Sequence, residues 1–239
     1  MIDGKRVLSV VTARGGSKGL PGKNMRPFGG KPLITWSIEQ GLACDLVDSV
    51  VVSTDSPAIA DVAARCGARV PFLRPAHLAG DTASNIDVLL HAIDHLESLG
   101  ERYEYVVLLE PTSPLRDVSD ISGALTLLAD GAAESVVGVA RAESAHPAFL
   151  MRIEDGLLQP MSGSQPTGLR RQELTEEYFY IEGSVYASRV SSLRARKSFY
   201  HERTSPWIVD RYKAIEIDEL SDFVAAQALL NAKLEGVPI

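Results

Sequence analysis

The stretch Thr12-Ala13-Arg14-Gly15-Gly16-Ser17-Lys18-Gly19-Leu20-Pro21-Gly22-Lys23-Asn24 directly follows the apolar run Val7–Val11. The apolar run predicts a buried first strand, and the glycine-rich stretch predicts a loop at its carboxyl end. Glycines allow the backbone to adopt positive φ and to turn several N–H groups toward one point. With its three basic side chains, the loop suits an anion with several oxygens, such as a triphosphate. A flexible turn with solvated lysines is the alternative.

Basic residues are concentrated at the amino end of an acidic chain. Residues 1–31 contain seven Lys or Arg and one acid, whereas the whole chain has 24 basic and 31 acidic residues and a net charge of −7. This local excess indicates an anion site rather than a nucleic-acid surface. The loop is not a P-loop, because five residues separate Gly16 from Gly22 and Asn24 replaces the hydroxyl residue. It also lacks the Gly-x-Gly-x-x-Gly pattern of dinucleotide sites.

Length and composition favour a single folded domain. The 239 residues are 45% hydrophobic, which supports a sizeable core. Cys44 and Cys66 have neither metal-binding nor disulfide-framework spacing. No apolar run reaches the roughly 18 residues of a membrane span, and the amino end lacks the apolar core of a secretion signal. We therefore expect a cytoplasmic protein that binds neither a membrane nor nucleic acid.

Strand and helix patterns alternate along most of the chain. Apolar runs predict strands near 7–11, 50–52, 105–109, 135–139, 183–187 and 215–218. Helical periodicity predicts helices near 32–42, 57–66, 84–96, 118–128 and 221–234. This order implies parallel strands joined by helices. We predict an α/β fold of three layers over residues 1–239, with a mostly parallel twisted sheet and helices on both faces.

The pattern changes between about 140 and 180, where no strand–helix unit is visible. Two apolar segments flank Glu154-Asp155-Gly156, which predicts a hairpin. We interpret the insertion as a small dimerisation arm. The alternative is an ordinary surface loop with no role in dimerisation.

Several polar loops follow predicted strands. Ligands of such sheets bind beyond the carboxyl ends of the strands, so Arg14, Lys23, Arg74 and Ser84 are expected to converge on a nucleotide triphosphate. Taken alone, Arg74 is equally well explained by a surface ion pair, and Ser84 is also predicted to cap a helix.

Two further segments carry candidate chemistry. Glu216 and Asp218 lie on one face of a predicted strand, and paired carboxylates suit Mg²⁺; an exposed strand face is the alternative. Thr112-Ser113-Pro114-Leu115-Arg116 offers two hydroxyls and a guanidinium to a polyhydroxylated substrate, or else forms a braced turn. Arg170-Arg171 suits a carboxylate, or is a solvated charged run.

Taken together, these segments resemble the acylneuraminate cytidylyltransferases, the CMP-sialic acid synthetases. They occur in the family's order and cover nearly the whole chain. The matching segments are Ala13–Asn24, Val52–Asp55, Leu73–Pro75, Asp81–Ser84, Pro111–Arg116, Arg171–Leu174 and Glu216–Asp218.

The resemblance implies attack of the anomeric hydroxyl of a nine-carbon 2-keto sugar acid on the α-phosphorus of CTP. It implies a nucleotide-diphospho-sugar transferase-like fold and a homodimer whose arm reaches the partner's sugar site. The implied catalytic residues are Arg14, Lys23 and Asp218, and the implied Mg²⁺ ligands are Glu216 and Asp218. The implied nucleotide-binding residues are Ala13, Arg14, Gly15, Gly16, Ser17, Lys23, Asn24, Arg74 and Ser84. The implied sugar-binding residues are Glu110, Thr112, Ser113, Arg171 and Tyr180.

The chain departs from the family pattern around the implied sugar site. Glu110 stands where Gln is usual, Tyr180 where bacterial forms carry Arg, and Glu182 where Asn is usual; Glu216 replaces the first Asp of Asp-x-Asp. N-acetylneuraminate, legionaminate and pseudaminate are therefore all candidate sugars. The competing hypotheses are an enzyme for the eight-carbon ketodeoxyoctonate, a non-catalytic nucleotide-binding regulator and a nucleotide-cleaving hydrolase.

Overall fold

A six-stranded sheet forms the centre of the protein in a computed structural model that describes residues 1–17, 19–143, 145–161, 170 and 174–238. The strands in these residues are β1 Val7–Thr12, β2 Pro27–Phe28, β3 Lys31–Pro32, β4 Ser49–Ser53, β5 Tyr105–Leu108, β6 Ser135–Arg141, β7 Met151–Glu154, β8 Leu157–Pro160, β9 Phe179–Arg189 and β10 Thr204–Ile208. The central sheet has the order β10-β6-β9-β5-β1-β4. Neighbouring strands are parallel except at β9, which is antiparallel to β5 and β6.

Helices cover both faces of this sheet. They are α1 Leu33–Leu42, α2 Pro57–Arg65, α3 Asn85–Ser98, α4 Val118–Ala129, α5 Val190–Arg196 and α6 Leu220–Leu234. Because side chains alternate along a strand, Val7 and Val11 of β1 pack with α1, α2 and α4, whereas Leu8 and Val10 pack with α3 and α5. The predicted three-layer, mostly parallel α/β fold is confirmed. No helix in the described ranges is both long and apolar enough to cross a bilayer.

A third apolar cluster ties the two ends of the chain together. Leu20 of the glycine-rich loop is buried against Ile217, in a group that also contains Phe28 and Leu230 of α6. Burying a large aliphatic side chain contributes about 1.5–3 kcal/mol. This packing holds the loop against the segment that carries Glu216 and Asp218.

The inserted region contains the predicted hairpin. Strands β7 and β8 pair in antiparallel register, and the turn residues Asp155 and Gly156 both have positive φ. Two positive φ values in a two-residue loop match the twist of the flanking strands. The hairpin prediction is confirmed; its role in dimerisation stays a prediction.

One prediction of local structure needs correction. Residues 215–218 are not a strand, and the Ile217 N–H instead donates to the Thr112 carbonyl at 2.8 Å. Helix α5 and strand β10 were not predicted, because α5 is too short to show periodicity and β10 is an edge strand containing Pro206.

Candidate active site

A cavity of about 240 Å³ lies where β1, β4 and β5 end. These three strands are parallel, so their carboxyl ends lie at the same edge of the sheet. The residues around the cavity come from the end of β1, the loops after β1 and β5, the loop between α2 and α3, and α3 itself. They are Thr12, Arg14, Lys23, Asn24, Arg74, Leu78, Gly80, Asp81, Ala83, Asn85, Val88, Glu110, Pro111 and Thr112.

The glycine-rich loop is held by hydrogen bonds to its neighbours. The backbone N–H of Ala13 donates to the Ser53 carbonyl at 3.0 Å, and that of Gly15 donates to Asp55 Oδ1 at 2.8 Å. These two amides are therefore already bonded, and of the four glycines only Gly22 has positive φ. Gly19 is required for another reason, since a Cβ there would collide with the backbone oxygen of Asp218.

Two cations of the loop are held by carboxylates. Arg14 Nη1 donates to Asp81 Oδ1 at 2.6 Å. Lys23 Nζ donates to Asp218 Oδ1 at 2.9 Å and to the Ile217 carbonyl at 2.8 Å. The loop and the acidic segment, far apart in sequence, therefore meet as predicted. Buried Asn24 supports this arrangement by donating to the Arg14 carbonyl at 3.1 Å.

Arg74 is the most buried cation that lines the cavity. Its side chain is 7% exposed; Nε donates to Ser53 Oγ at 3.0 Å and Nη2 donates to the Ser53 carbonyl. Burial lowers the pKa of Arg74 to about 10, an effect that Asp55 opposes and Arg14 reinforces. The surface ion pair considered for Arg74 is wrong, because the guanidinium braces the end of β4 inside the site.

The opposite side of the cavity is acidic. Glu110 Oε1 accepts from Asn85 Nδ2 at 2.7 Å. Burial, followed by repulsion from Glu216, raises the pKa of Glu110 to about 7. Loss of hydration, then the charge of Asp218, also raises the pKa of Glu216, whose Oε1 accepts from Thr112 Oγ1 at 3.4 Å. Like charges therefore crowd this side of the site.

The acidic side has the chemistry of a magnesium site. Carboxylate oxygens are hard donors, and Mg²⁺ in nucleotide enzymes is held by one or two carboxylates with phosphate and water oxygens. Glu216 and Asp218 are both exposed and so are open to such a complex. Within the described ranges, no group of three or more Asp, Glu, His or Cys side chains forms a metal cluster.

Arg116 does not face a substrate as proposed from the sequence. It is 1% exposed, and its Nη2 donates to Ser37 Oγ at 3.0 Å and to the Glu110 carbonyl. Burial lowers its pKa to about 10, with Glu182 as the largest opposing charge. Arg116 therefore fixes the main chain at Glu110 from behind.

The remaining predicted residues lie around or beyond the cavity. Ser84 caps α3, accepting from the Asp87 N–H at 3.0 Å, as predicted, and its neighbours Ala83 and Asn85 line the cavity. Gly16 and Ser17 lie in the glycine-rich loop. Tyr180 is 41% exposed and borders a different depression with Arg211, so the structure does not bring it to the cavity. Arg171 lies outside the described residues.

Sequence reasoning missed three residues of the site. Asp55 holds the loop through Gly15, Asp81 pairs with Arg14, and Asn85 orients Glu110. Asp55 and Asp81 both lie in segments that match the resembled family, so their positions carried a signal although their partners did not. Asn85 carried no signal, because Glu110 lies 25 residues away.

Comparison with known proteins identifies the family of this chain. A family described as Cytidylyltransferase matches residues 8–231. The CMP-N,N'-diacetyllegionaminic acid synthase of Legionella pneumophila is 34% identical over 97% of this chain and 99% of its own. The pseudaminic acid cytidylyltransferase of Campylobacter jejuni is 31% identical over 96% of this chain and 98% of its own.

A solved structure of CMP:2-keto-3-deoxy-manno-octonic acid synthetase, complexed with CTP, superposes with a TM-score of 0.69 at 20% identity. The match covers 95% of this chain and 99% of that one, and it supports the fold. On the family match and the two relatives, the chain belongs to the cytidylyltransferase family.

Proposed function

We propose that the protein is a CTP-dependent enzyme that converts a nine-carbon 2-keto sugar acid into its CMP derivative and releases pyrophosphate. The observation that carries the proposal is the contact between Lys23 and Asp218, 195 residues apart in sequence. It joins a basic loop suited to a triphosphate with an acidic segment suited to its metal, at one cavity. The sugar class is supported by the two relatives, which are named for such acids.

The proposed reaction is a single displacement at phosphorus. The oxygen of the anomeric hydroxyl forms a bond to the α-phosphorus of CTP. The bond from that phosphorus to the bridging oxygen breaks, and its electron pair leaves with pyrophosphate. The hydroxyl proton passes to a carboxylate, for which Asp218 is our candidate. Positioning and charge neutralisation dominate such reactions.

The cations of the cavity have distinct roles in this scheme. Arg14 and Lys23 neutralise the phosphates, and to do so they exchange their contacts with Asp81 and Asp218 for contacts with CTP. Arg74 and Asn24 are held by bonds to Ser53 and Arg14 and orient the nucleotide. Glu110 and Thr112 line the cavity and border the sugar, because they follow β5 on the acidic side. Ser113, predicted with them, is buried and does not line the cavity.

Glu216 and Asp218 would hold Mg²⁺, which supplies positive charge to the phosphates when bound. Both carboxylates are exposed and lie near the cavity, so they are accessible to a nucleotide-bound metal ion. Removal of the metal with EDTA is expected to abolish turnover, and readdition of Mg²⁺ is expected to restore it.

We also propose that the protein is a homodimer formed through the inserted hairpin. Ile153 and Leu158 lie directly opposite each other across the hairpin and are 75 and 62% exposed, and large apolar side chains exposed on one face suit an interaction surface. Sedimentation should show that Leu158→Asp shifts the protein toward monomer. Leu99→Asp, at an equally exposed leucine on the end of α3, should leave the oligomeric state unchanged.

The cytoplasm is the proposed location, since both cysteines are free and free thiols fit a reducing compartment.

One assay tests the function against its rivals. Pyrophosphate release is measured with CTP, Mg²⁺ and each of legionaminate, pseudaminate, N-acetylneuraminate and ketodeoxyoctonate, with a no-sugar control. Release that requires a nine-carbon acid supports the proposal. Release with ketodeoxyoctonate alone moves the enzyme to the eight-carbon class, and release without sugar indicates a hydrolase. CTP binding without release indicates a regulator.

A further inference from the structure

The two carboxylates proposed as metal ligands belong to a segment that lies outside the central sheet. Residues 209–218 leave the edge strand β10, and a one-turn helix, Arg211–Ala214, then lies next to β6 and β9. The segment ends beside the loop that follows β5, with Glu216 and Asp218 close to the cavity. Because residues 215–218 are not a strand, other contacts of the segment have to hold these carboxylates in place.

Lys213 is a buried cation in the middle of this segment. It is 6% exposed, and its Nζ lies 3.0 Å from Asp117 Oδ2 and 3.1 Å from Asp120 Oδ2. A carboxylate oxygen of Asp210 lies 3.4 Å away. Burial alone would lower the pKa of Lys213, but its contacts with Asp117 and Asp120 raise the pKa above its ordinary value. Lys213 is therefore charged at neutral pH and paired inside the protein.

The main acidic partners of Lys213 are themselves fixed at the start of α4. Asp120 Oδ2 accepts from the Asp117 N–H at 2.7 Å, and Asp120 Oδ1 accepts from Trp207 Nε1 at 3.2 Å. Gly123, one turn further along α4, makes room for this indole, since a Cβ there would collide with the ring. The first turn of α4 is therefore a rigid anchor, tied both to its own helix and to strand β10.

The same turn of α4 also supports the other carboxylate of the acidic side. Arg116 directly precedes Asp117 and holds the main chain of Glu110. The start of α4 thus bonds to the loop after β5 through Arg116 and to the segment 209–218 through Lys213. Removing one partner of a buried ion pair is strongly destabilising, so both connections resist displacement.

We propose that Lys213 is a positioning residue of the active site, which fixes residues 215–218 against the first turn of α4 and so holds Glu216 and Asp218 where they would bind Mg²⁺. Lys213 does not line the cavity and therefore acts through these two carboxylates. The inference rests on the proposed function for its role in turnover. The anchoring itself can be measured without CTP, sugar or metal.

Hydrogen exchange of the metal-free protein, followed by mass spectrometry, tests the anchoring. In Lys213→Gln, peptides covering 211–218 should lose protection while peptides from α3 keep it, because the opening is local. Lys213→Arg keeps the charge and should retain most of the protection. Lys233→Gln is the matched control, because Lys233 pairs with the same Asp117 but from α6. It should leave exchange at 211–218 unchanged.

The second measurement is the Mg²⁺ dependence of pyrophosphate release. In Lys213→Gln, the Mg²⁺ concentration for half-maximal release should rise about 10-fold or more, since groups that orient metal ligands matter by roughly 10–100-fold. CTP affinity in EDTA should change little, because Arg14 and Arg74 keep their own partners. A general loss of structure would weaken both, so the two readouts together separate positioning from stability.

Unchanged exchange at 211–218 in folded Lys213→Gln protein overturns the proposal, and so does an unchanged Mg²⁺ dependence. If circular dichroism shows that this variant does not fold, Asp120→Asn takes its place. That change removes one charge from the Lys213 site but leaves an oxygen for the Asp117 N–H. The same two shifts are expected in the same direction, and their absence is equally fatal.

The test separates this proposal from the proposed function. If wild-type protein releases no pyrophosphate with any sugar, the proposed function fails, but the exchange measurement still decides whether Lys213 anchors residues 211–218.

Discussion

The two sides of the cavity are stabilised in opposite ways. On the basic side, each cation has a partner: Arg14 pairs with Asp81, Lys23 with Asp218, and Arg74 bonds to Ser53. On the acidic side, Glu110 and Glu216 face each other and accept hydrogen bonds from neutral groups. The difference indicates that the basic side is preorganised by its own partners, whereas on the acidic side only the longer-range charges of Arg116 and Lys23 oppose the repulsion between Glu110 and Glu216.

The largest expected effect comes from removing Lys23, whose ion pair with Asp218 joins the two sides of the site. Lys23→Ala should lower kcat by about 10²–10³, because one preorganised group on developing charge is worth that much. Lys31→Ala is the matched control, since Lys31 lies in the same basic region but pairs with Glu39 on α1. Steady-state pyrophosphate release and circular dichroism of both variants are the measurements. Turnover of Lys23→Ala within a fewfold of wild type would remove this lysine from the mechanism.

The acidic side should give the next largest effect, on stability rather than on rate. The pKa of Glu110 is about 7 in the folded protein against 4.5 ordinarily. Between these values the folded state binds more protons than the unfolded state, so stability falls as pH rises through this window. A shift of this size is worth about 3 kcal/mol. Glu110→Gln has no carboxyl at this position and so should not lose that stability. In the metal-free protein, the free energy of unfolding of Glu110→Gln relative to wild type should therefore be more favourable at pH 8 than at pH 5.

Urea unfolding in EDTA at pH 5 and pH 8 measures this difference. Glu101→Gln is the control of opposite sign, because hydrogen bonds from Arg69 and Tyr103 lower the pKa of Glu101 to about 2. The stabilisation from Glu101 is fully present above pH 4.5 and is lost only as pH falls toward 2. Glu101→Gln should therefore lower the free energy of unfolding by the same amount at pH 5 and at pH 8. If the effect of Glu110→Gln is also the same at both pH values, Glu110 and Glu216 do not repel each other as inferred.

Sequence reasoning predicted the parts of the site that depend on local pattern. The functional residues of the glycine-rich loop lie within a few positions of one another in the sequence, and so do the carboxylates of Glu216 and Asp218. Each group can therefore be recognised from one short segment. The parallel sheet then predicts that loops after successive strands meet. Strands β1, β4 and β5 and the helices of residues 1–130 were predicted for the same reason, since each shows an apolar run or a helical period. The two-residue strands β2 and β3 were not predicted.

What the sequence did not predict depends on long-range packing. The burial of Arg116 behind Glu110 and of Arg74 against Ser53 follows from how α1, α4 and β4 pack, and nothing within either segment indicates it. Asn85 likewise gains its role only from Glu110, 25 residues away. The segment 190–208 was missed because α5 and β10 are short and lack a periodic pattern.

The smallest expected effect distinguishes two ways in which the basic side could bind CTP: through charge alone, or also through the geometry of the guanidinium. Arg74→Lys keeps the charge, but a lysine has one nitrogen. Arg74 uses Nε and Nη2 on Ser53, which leaves Nη1 for a ligand, so a lysine can serve only one partner. We expect CTP binding by calorimetry to weaken about 10-fold or more, the ~1.5–3 kcal/mol of one charged hydrogen bond. Arg69→Lys, at a fork on Glu101 outside the cavity, should not change CTP binding. Equal CTP affinity in Arg74→Lys and wild type would mean that charge alone suffices, and the preorganisation inferred for the basic side would then not include the guanidinium fork.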